Sequence, residues 1–173
     1  MQALAFWKAV AMDKSNFLES LIALLAEHQI RYCVIGGQGV NAYAEPLVSL
    51  DLDLVVAVDQ MAEVERLFGG RFQVDKFPHS LNVTEPGSQL RVQIQSDPRY
   101  FDFPARSSGR DVLGLRLPVA CIEDVLQGKI WAAQHPDRRA SKRRKDLLDI
   151  ERLIEAHPAL RSRVPQEIIA QLG

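Results

Sequence analysis

Between residues 50 and 58 apolar and polar positions alternate with a period of two: Leu50, Leu52 and Leu54 fall on one side of an extended chain, Asp51 and Asp53 on the other. This predicts a strand. The short apolar run 32–35, rich in β-formers and bounded by Gly36 and Gly37, predicts another. Residues 38–44 between them predict a short helix, stopped at Glu45-Pro46 because a proline restricts the residue before it. Upstream, Phe17, Leu18, Leu21, Ile22, Leu24 and Leu25 form a helical stripe ending near His28, with Asn16 and Glu19 spaced as a capping pair. A helix over 60–68 is expected, capped by Asp59 and stopped by Gly69-Gly70.

Three short alternating runs follow, 71–76, 79–84 and 90–95, separated by Pro78 and by Glu85-Pro86-Gly87-Ser88. They predict an antiparallel meander, and residues 115–119 a fourth strand. The last third is helical. Ile122, Val125, Leu126, Ile130 and Ala133 mark a helix over 122–134, broken at His135-Pro136. Leu147, Ile150, Leu153 and Ile154 mark a second over 141–157, ended by Pro158, and Pro165 is placed to begin a short one over 166–172. The pattern is that of one α+β domain over 1–173. A sheet-containing core over about 14–119 has helices on one side, and a C-terminal helical bundle fills about 120–173.

Composition narrows the class. The 173 residues, 47% apolar and 25% charged, fit one ordinary globular domain. A net charge of −1 gives no global bias toward nucleic acid or membranes. The charge is uneven, because Arg138, Arg139, Lys142, Arg143, Arg144 and Lys145 cluster at the start of a helix. Cys33 and Cys121 sit in apolar contexts and read as buried thiols in a reducing compartment, without zinc-type spacing. The short apolar run within 1–12 is broken by Lys8 and lacks a signal-peptide layout, and no stretch approaches the ~20 apolar residues of a membrane span. A cytoplasmic address is expected.

Two carboxylates one strand repeat apart, in so apolar a strand, repel each other and lose solvation unless a positive charge lies between them. Asp51 and Asp53 suit a hard divalent cation, Mg²⁺ or Mn²⁺, whose remaining ligands come from phosphate oxygens. Gly36 and Gly37 leave room for phosphate to reach backbone N–H groups, with Gln38 beside them at a helix start. A solvated edge-strand face is the plainer reading of the two acids. Lys129 follows Ile122, Val125 and Leu126 on the apolar stripe, and Asp146 precedes Ile150 and Leu153, so both are expected to turn inward, as a buried pair or a polar site. A snorkelling lysine and a surface acid would give the same spacing. The basic run opposes the helix dipole at an N-terminus, which makes sense if Lys142 and Lys145 meet phosphate. Ordinary i,i+4 pairing of Lys142 with Asp146 and Lys145 with Asp149 competes with that role. Tyr100, Phe101 and Phe103 read as packing residues, with base stacking as the alternative. A dinucleotide fingerprint, Gly37-Gln-Gly39-Val-Asn-Ala42 with Asp59 downstream, is also present. The short helix before Pro46, two acids inside a strand that would be buried on both faces, and the lack of further βα units count against it.

Gly36-Gly37, thirteen intervening residues (51 − 37 − 1) and Asp51-Leu52-Asp53-Leu54 resemble the nucleotidyltransferase superfamily related to DNA polymerase β, with its strand, Gly-Gly or Gly-Ser, then Asp-x-Asp on the next strand. Over about 17–153 the chain looks most like the small bacterial members, of the minimal nucleotidyltransferase and AbiEii-toxin kind. The resemblance implies a nucleotidyltransferase-like mixed sheet. It also implies Mg²⁺-dependent transfer of a nucleotide from an NTP to a hydroxyl of RNA or protein, and, from the toxin members, a neighbouring antitoxin. It assigns metal binding to Asp51 and Asp53, phosphate binding to Gly36, Gly37 and Gln38, and triphosphate contact to Lys129. Asp146 would position basic groups. In one respect the chain departs from the pattern: the third carboxylate of active members looks to be Gln93, which has neither charge nor useful basicity. Asp97 and Asp102 fall beyond the strand end. Two functions therefore stand: an enzyme, or a catalytically silent relative binding nucleotide, RNA or a partner protein.

Overall fold

The two strands flanking the glycines form and pair with each other. In a computed structural model describing residues 2–11 and 16–173, β1 (Tyr32–Ile35) runs antiparallel to β2 (Asp51–Val56), with Ile35 opposite Asp53. That antiparallel pairing excludes the dinucleotide-binding unit, whose strands are parallel. The helix between them, α3 (Gly36–Asn41), starts on the glycines themselves rather than after them. β2 stops at Val56, two residues before the alternation does, because residues 58–60 coil into a 3₁₀ turn ahead of α4 (Met61–Gly69).

The meander forms as β3 (Gln73–Phe77), β4 (Ser80–Thr84) and β5 (Arg91–Gln95), antiparallel throughout, and β5 joins β2 in parallel. The expected fourth strand, β7 (Leu115–Val119), does not extend the meander. It crosses to the other side of β1, parallel to it, and carries an antiparallel edge strand β6 (Ser108–Val112) that the alternation did not announce. The result is one seven-stranded mixed sheet in the order β3-β4-β5-β2-β1-β7-β6.

Helices cover both faces of this sheet, not one. Val34, Leu52, Leu54, Val56, Val92 and Ile94 pack under α2 (Phe17–Glu27) and α4, with Phe17, Phe68 and Phe72 meeting edge to face. On the other face Cys33, Ile35 and Val55 pack under α5 (Ile122–Gln134) and α6 (Ala140–Ala156). A central strand buried on both sides needs apolar residues at every position. β2 meets this from Leu54 to Val56 and departs from it at Asp51 and Asp53, each half-buried. The chain closes with a 3₁₀ segment (Pro158–Arg163) and a four-residue α7 (Gln166–Ile169), shorter than its sequence suggested.

Several local expectations are corrected. Asn16 precedes α2 in the left-handed region (φ 57°) and makes no side-chain cap; its side-chain amide oxygen instead accepts from Lys8, which also pairs with Glu19 at 3.1 Å. Lys8 belongs to a first helix, α1 (Gln2–Ala11), which the pattern did not predict. Asp59 caps nothing and instead pairs with Arg31. Of the two thiols, Cys33 is buried and Cys121 only partly, and both are free. Positions 14 and 15, where the core was expected to begin, lie outside the described residues. Among the described residues no helix is long and apolar enough to cross a membrane.

Candidate functional site

The register of β2 and β5 sets the floor of a cleft. Asp51 lies opposite Arg91 and Asp53 opposite Gln93, and since Leu52 and Val92 are turned into the core beneath α2 and α4, these four residues share the other face. The cleft, about 390 Å³, is lined by Asp51, Asp53, Arg91 and Gln93 from the sheet and by Gly37 from α3. Lys129 of α5 and Arg138, Arg139, Lys142, Lys145 and Asp146 on and before α6 line it from above.

The glycines are shaped by this neighbourhood. Gly36 has φ +68°, a conformation glycine adopts freely, and a methyl group there would collide with the Asp53 carboxylate. A Cβ on Gly37 would lie 3.6 Å from the Lys145 Nζ, so that ammonium stands over the first turn of α3. The Gln38 side chain is buried, donating to the Ser49 carbonyl at 3.2 Å and accepting from Asn41 at 3.3 Å.

Behind the cleft lies a buried charge network. The Lys129 ammonium is 2.9 Å from Asp149 and 3.3 Å from Asp146. Asp146 also accepts two bonds from the Arg138 guanidinium, at 2.8 and 2.9 Å. Asp149 is further bound by Arg152 at 2.8 Å, and Arg152 continues to Asn41 at 2.9 Å and to the Glu45 carbonyl. Asn41 in turn holds the Leu47 backbone through both its amide groups, at 2.7 and 3.0 Å, so the network fastens the α3–β2 connection to α6. The i,i+4 pairs Lys142–Asp146 and Lys145–Asp149 are not made: both acids point inward, 1% exposed, while Lys142 and Lys145 face the cleft. Two of the basic residues are structural: Arg138 in the network, and Arg143 on the Ala133 and His135 carbonyls at 3.0 and 2.7 Å, where it closes the C-terminus of α5.

Charge balance follows from this geometry. Burial pushes the Asp53 carboxyl above the ordinary carboxylate range; Lys129 pulls it down, Asp51 pushes it up again, and Lys145 and Arg138 pull it down. Burial works against the Lys129 ammonium, but Asp149 and Asp146, helped by Asp53, outweigh it and hold its pKa above the usual value.

Next to the cleft, and sharing Gln93, Arg138, Arg139 and Lys142 with it, lies a second hollow of about 480 Å³ that reaches Arg99 and Trp131. Tyr100 and Phe103 are buried against Trp131 and serve as packing, as the sequence suggested, while Phe101 is exposed. Asp97 caps a 3₁₀ turn and pairs with Arg99. Neither Asp97 nor Asp102 lines the first cleft. Asp75, Arg91 and Arg152 escaped sequence reading. Asp75 lines the cleft from β3, in a cross-strand row with Asn82, Gln93 and Asp53, and its only signal was the meander register. Among the described residues no three His, Cys, Asp or Glu side chains form a group able to hold a metal ion on their own.

No family model matches the sequence, and no curated protein matches it either. Solved structures do. The antibiotic-resistance factor ANT(2'')-Ia superposes with a TM-score of 0.54 at 13% identity, over 88% of this chain and 94% of that one. The lincosamide antibiotic adenylyltransferase LnuA gives 0.53 at 12% identity, over 81% of this chain and 98% of that one. The protein TM1012 from Thermotoga maritima, described as a putative nucleotidyltransferase, gives 0.52 at 17% identity, over 78% of this chain and 92% of that one. This chain has the nucleotidyltransferase fold.

Proposed function

Proceeding from that fold, we propose that the chain moves a nucleotide from an NTP to a hydroxyl acceptor, with Mg²⁺ or Mn²⁺. The observation that carries this reading is the meeting of Asp51 and Asp53 with Lys129, Arg138 and Lys145 in one cleft beside the Gly36–Gly37 turn. The donor set fits a divalent ion that arrives with a nucleotide. Two carboxylates on alternate residues supply hard oxygen ligands, and the triphosphate supplies more. When bound, the ion would neutralise phosphate charge and fix the reacting group.

The chain's own residues do the rest. Gly36 leaves the Asp53 carboxylate the space it needs. The backbone at Gly37 and Gln38 offers N–H groups to a phosphate, and Lys145 and Lys142 balance its charge from α6. Lys129, with Asp146 holding Arg138 in place, keeps positive charge behind Asp53 and toward the triphosphate. The adjoining hollow at Arg99 and Trp131 is where an acceptor fits. Its cations favour an acceptor bearing phosphate or carboxylate, such as RNA or an acidic protein segment. The toxin role, with an antitoxin as partner, rests on the resemblance alone, and transfer to RNA or protein in the assay below would support it.

A second reading has one specific observation behind it. Gln93, exposed and opposite Asp53, can neither ligate as a carboxylate nor take a proton, which favours a silent binder of nucleotide, RNA or a partner. The test is incubation of the protein with each labelled NTP, Mg²⁺, and RNA, protein or lincomycin as acceptor, beside Asp51→Asn/Asp53→Asn and Gln93→Asp. Transfer that the double variant abolishes, and that Gln93→Asp raises, supports the enzyme. Nucleotide binding without transfer in any variant supports the silent binder. A wild type that neither binds nor transfers an NTP overturns both.

A further inference from the structure

Arg91 has no place in the reading above, yet it sits on a residue central to it. The parallel register of β2 and β5 puts it opposite Asp51, and its Nε donates to Asp51 Oδ1 at 2.8 Å. The pair is open to solvent, with 68% of the arginine side chain and 41% of the aspartate side chain exposed. A pair this exposed adds little to stability, so stability does not account for a guanidinium at the cleft. The bond uses one of the five guanidinium N–H groups and one of the two Asp51 oxygens, leaving both residues free to bind something else.

The four residues on this face have a telling charge sum. Asp51 and Asp53 are acidic, Arg91 is cationic, and Gln93 is neutral. Three carboxylates there would carry −3, more than one divalent ion balances; these four residues sum to −1, and to −2 with Asp75 at the far end of the row, which one divalent ion balances. We propose, on the nucleotide-and-metal reading, that Arg91 stands where a second divalent ion would: its permanent charge, held in place through Asp51, takes the nucleotide phosphates. The site therefore binds one divalent ion per nucleotide. Arginine suits that task better than lysine, because its fork can hold a carboxylate on one edge and a phosphate on the other, and it keeps its charge at any working pH. Arg91 is then a positioning residue for Asp51 and a binding residue for the phosphates. The missing acid at Gln93 and the added base at Arg91 become one compensated arrangement.

The experiment counts bound Mn²⁺ by paramagnetic resonance and measures affinity by calorimetry, with a non-hydrolysable NTP analogue, for wild type, Arg91→Ala, Arg91→Lys and Arg91→Ala/Gln93→Asp. Circular dichroism checks folding, which an exposed strand residue leaves intact. The wild type is expected to hold one Mn²⁺ per bound nucleotide. Arg91→Ala is expected to weaken nucleotide binding by about 10- to 100-fold, the usual effect of losing a hydrogen bond to a charged group. Arg91→Lys should recover part of that loss. Arg91→Ala/Gln93→Asp should bind a second Mn²⁺. Two ions per nucleotide in the wild type, or unchanged nucleotide affinity in folded Arg91→Ala, would overturn this inference while leaving the proposed function standing. A wild type that binds neither Mn²⁺ nor the analogue would remove both.

Discussion

Replacing Lys129 with methionine tests whether the charge network is a structural member as well as a lining of the cleft. The ammonium is 8% exposed and lies between Asp146 and Asp149, each 1% exposed. Removing one partner of a buried pair costs ~3–5 kcal/mol, because the remaining charge is stranded. Here the cost should fall near ~3 kcal/mol on that scale, since Arg138 still holds Asp146 and Arg152 still holds Asp149. For a chain of this size each kcal/mol moves the melting temperature by ~2–4 °C, so a fall of about 6–12 °C is expected. Thermal denaturation followed by circular dichroism reads this directly. The double variant Lys129→Met/Asp146→Asn should recover at least half of the loss. It brings the three acids that faced Lys129, namely Asp53, Asp146 and Asp149, down to two, and the Arg138 left behind is 31% exposed and can hydrate. Because the folded-state pKa of Lys129 is raised from 10.5, its stabilising contribution is complete below that value and is lost only as pH climbs through the higher folded-state pKa. The difference between wild type and Lys129→Met should therefore stay flat from pH 6 to 9, as far as this group sets it, and shrink above that. A melting temperature within about 2 °C of wild type would refute the argument, and so would a double variant no better than the single one.

Other substitutions probe separate links. Gly36→Ala should lower the melting temperature, because a left-handed residue with a side chain costs about 1–2 kcal/mol and its methyl group displaces Asp53; Mn²⁺ affinity measured alongside should fall, and unchanged affinity would detach the glycine from the acid. Arg152→Ala should loosen the connection from α3 to β2 and release Asp149, raising hydrogen exchange at Asn41 and Leu47 and costing ~1.5–3 kcal/mol; exchange confined to α6 would contradict the role assigned to Arg152. Millimolar Mg²⁺ with an NTP should raise the wild-type melting temperature and leave Asp51→Asn/Asp53→Asn unmoved, since only native-state binding stabilises.

The strand, glycine turn and two-acid strand were legible because a period of two, a Gly-Gly break and a Pro stop all agree there. The C-terminal helices were legible because their apolar stripes are long. What the pattern missed had little apolar signal to give. β6 is exposed along four of its five positions and owes its place to pairing with β7. The helices were assigned to one face because nothing local tells that α2 and α5 approach from opposite sides. Inward turning of Lys129 and Asp146 was readable from spacing, but the partners of the acids were not. Local pairing rules offered Lys142 and Lys145, whereas burial selected Lys129, Arg138 and Arg152, which bring more hydrogen bonds to groups that have lost water. Arg91 was invisible because its meaning depends on parallel register with a strand forty positions earlier (91 − 51 = 40).

The sheet's double covering has a consequence in time. Asp53 is made 76 residues before Lys129 (129 − 53 = 76). A ribosome adding about 5–20 residues per second needs ~4–15 seconds for that stretch. For most of that interval Cys33, Ile35 and Val55 have neither α5 nor α6 over them, β1 lacks its β7 neighbour, and Asp53 lacks the charges of Lys129, Arg138 and Lys145. The nascent chain thus passes through a stage with one finished face and one bare, charged-at-the-rim face, a surface that a chaperone can hold and another chain can stick to. The cleft comes into being only when α5 and α6 close over it, so the apolar contacts that end this exposed stage also deliver Lys129 and Lys145 to Asp53.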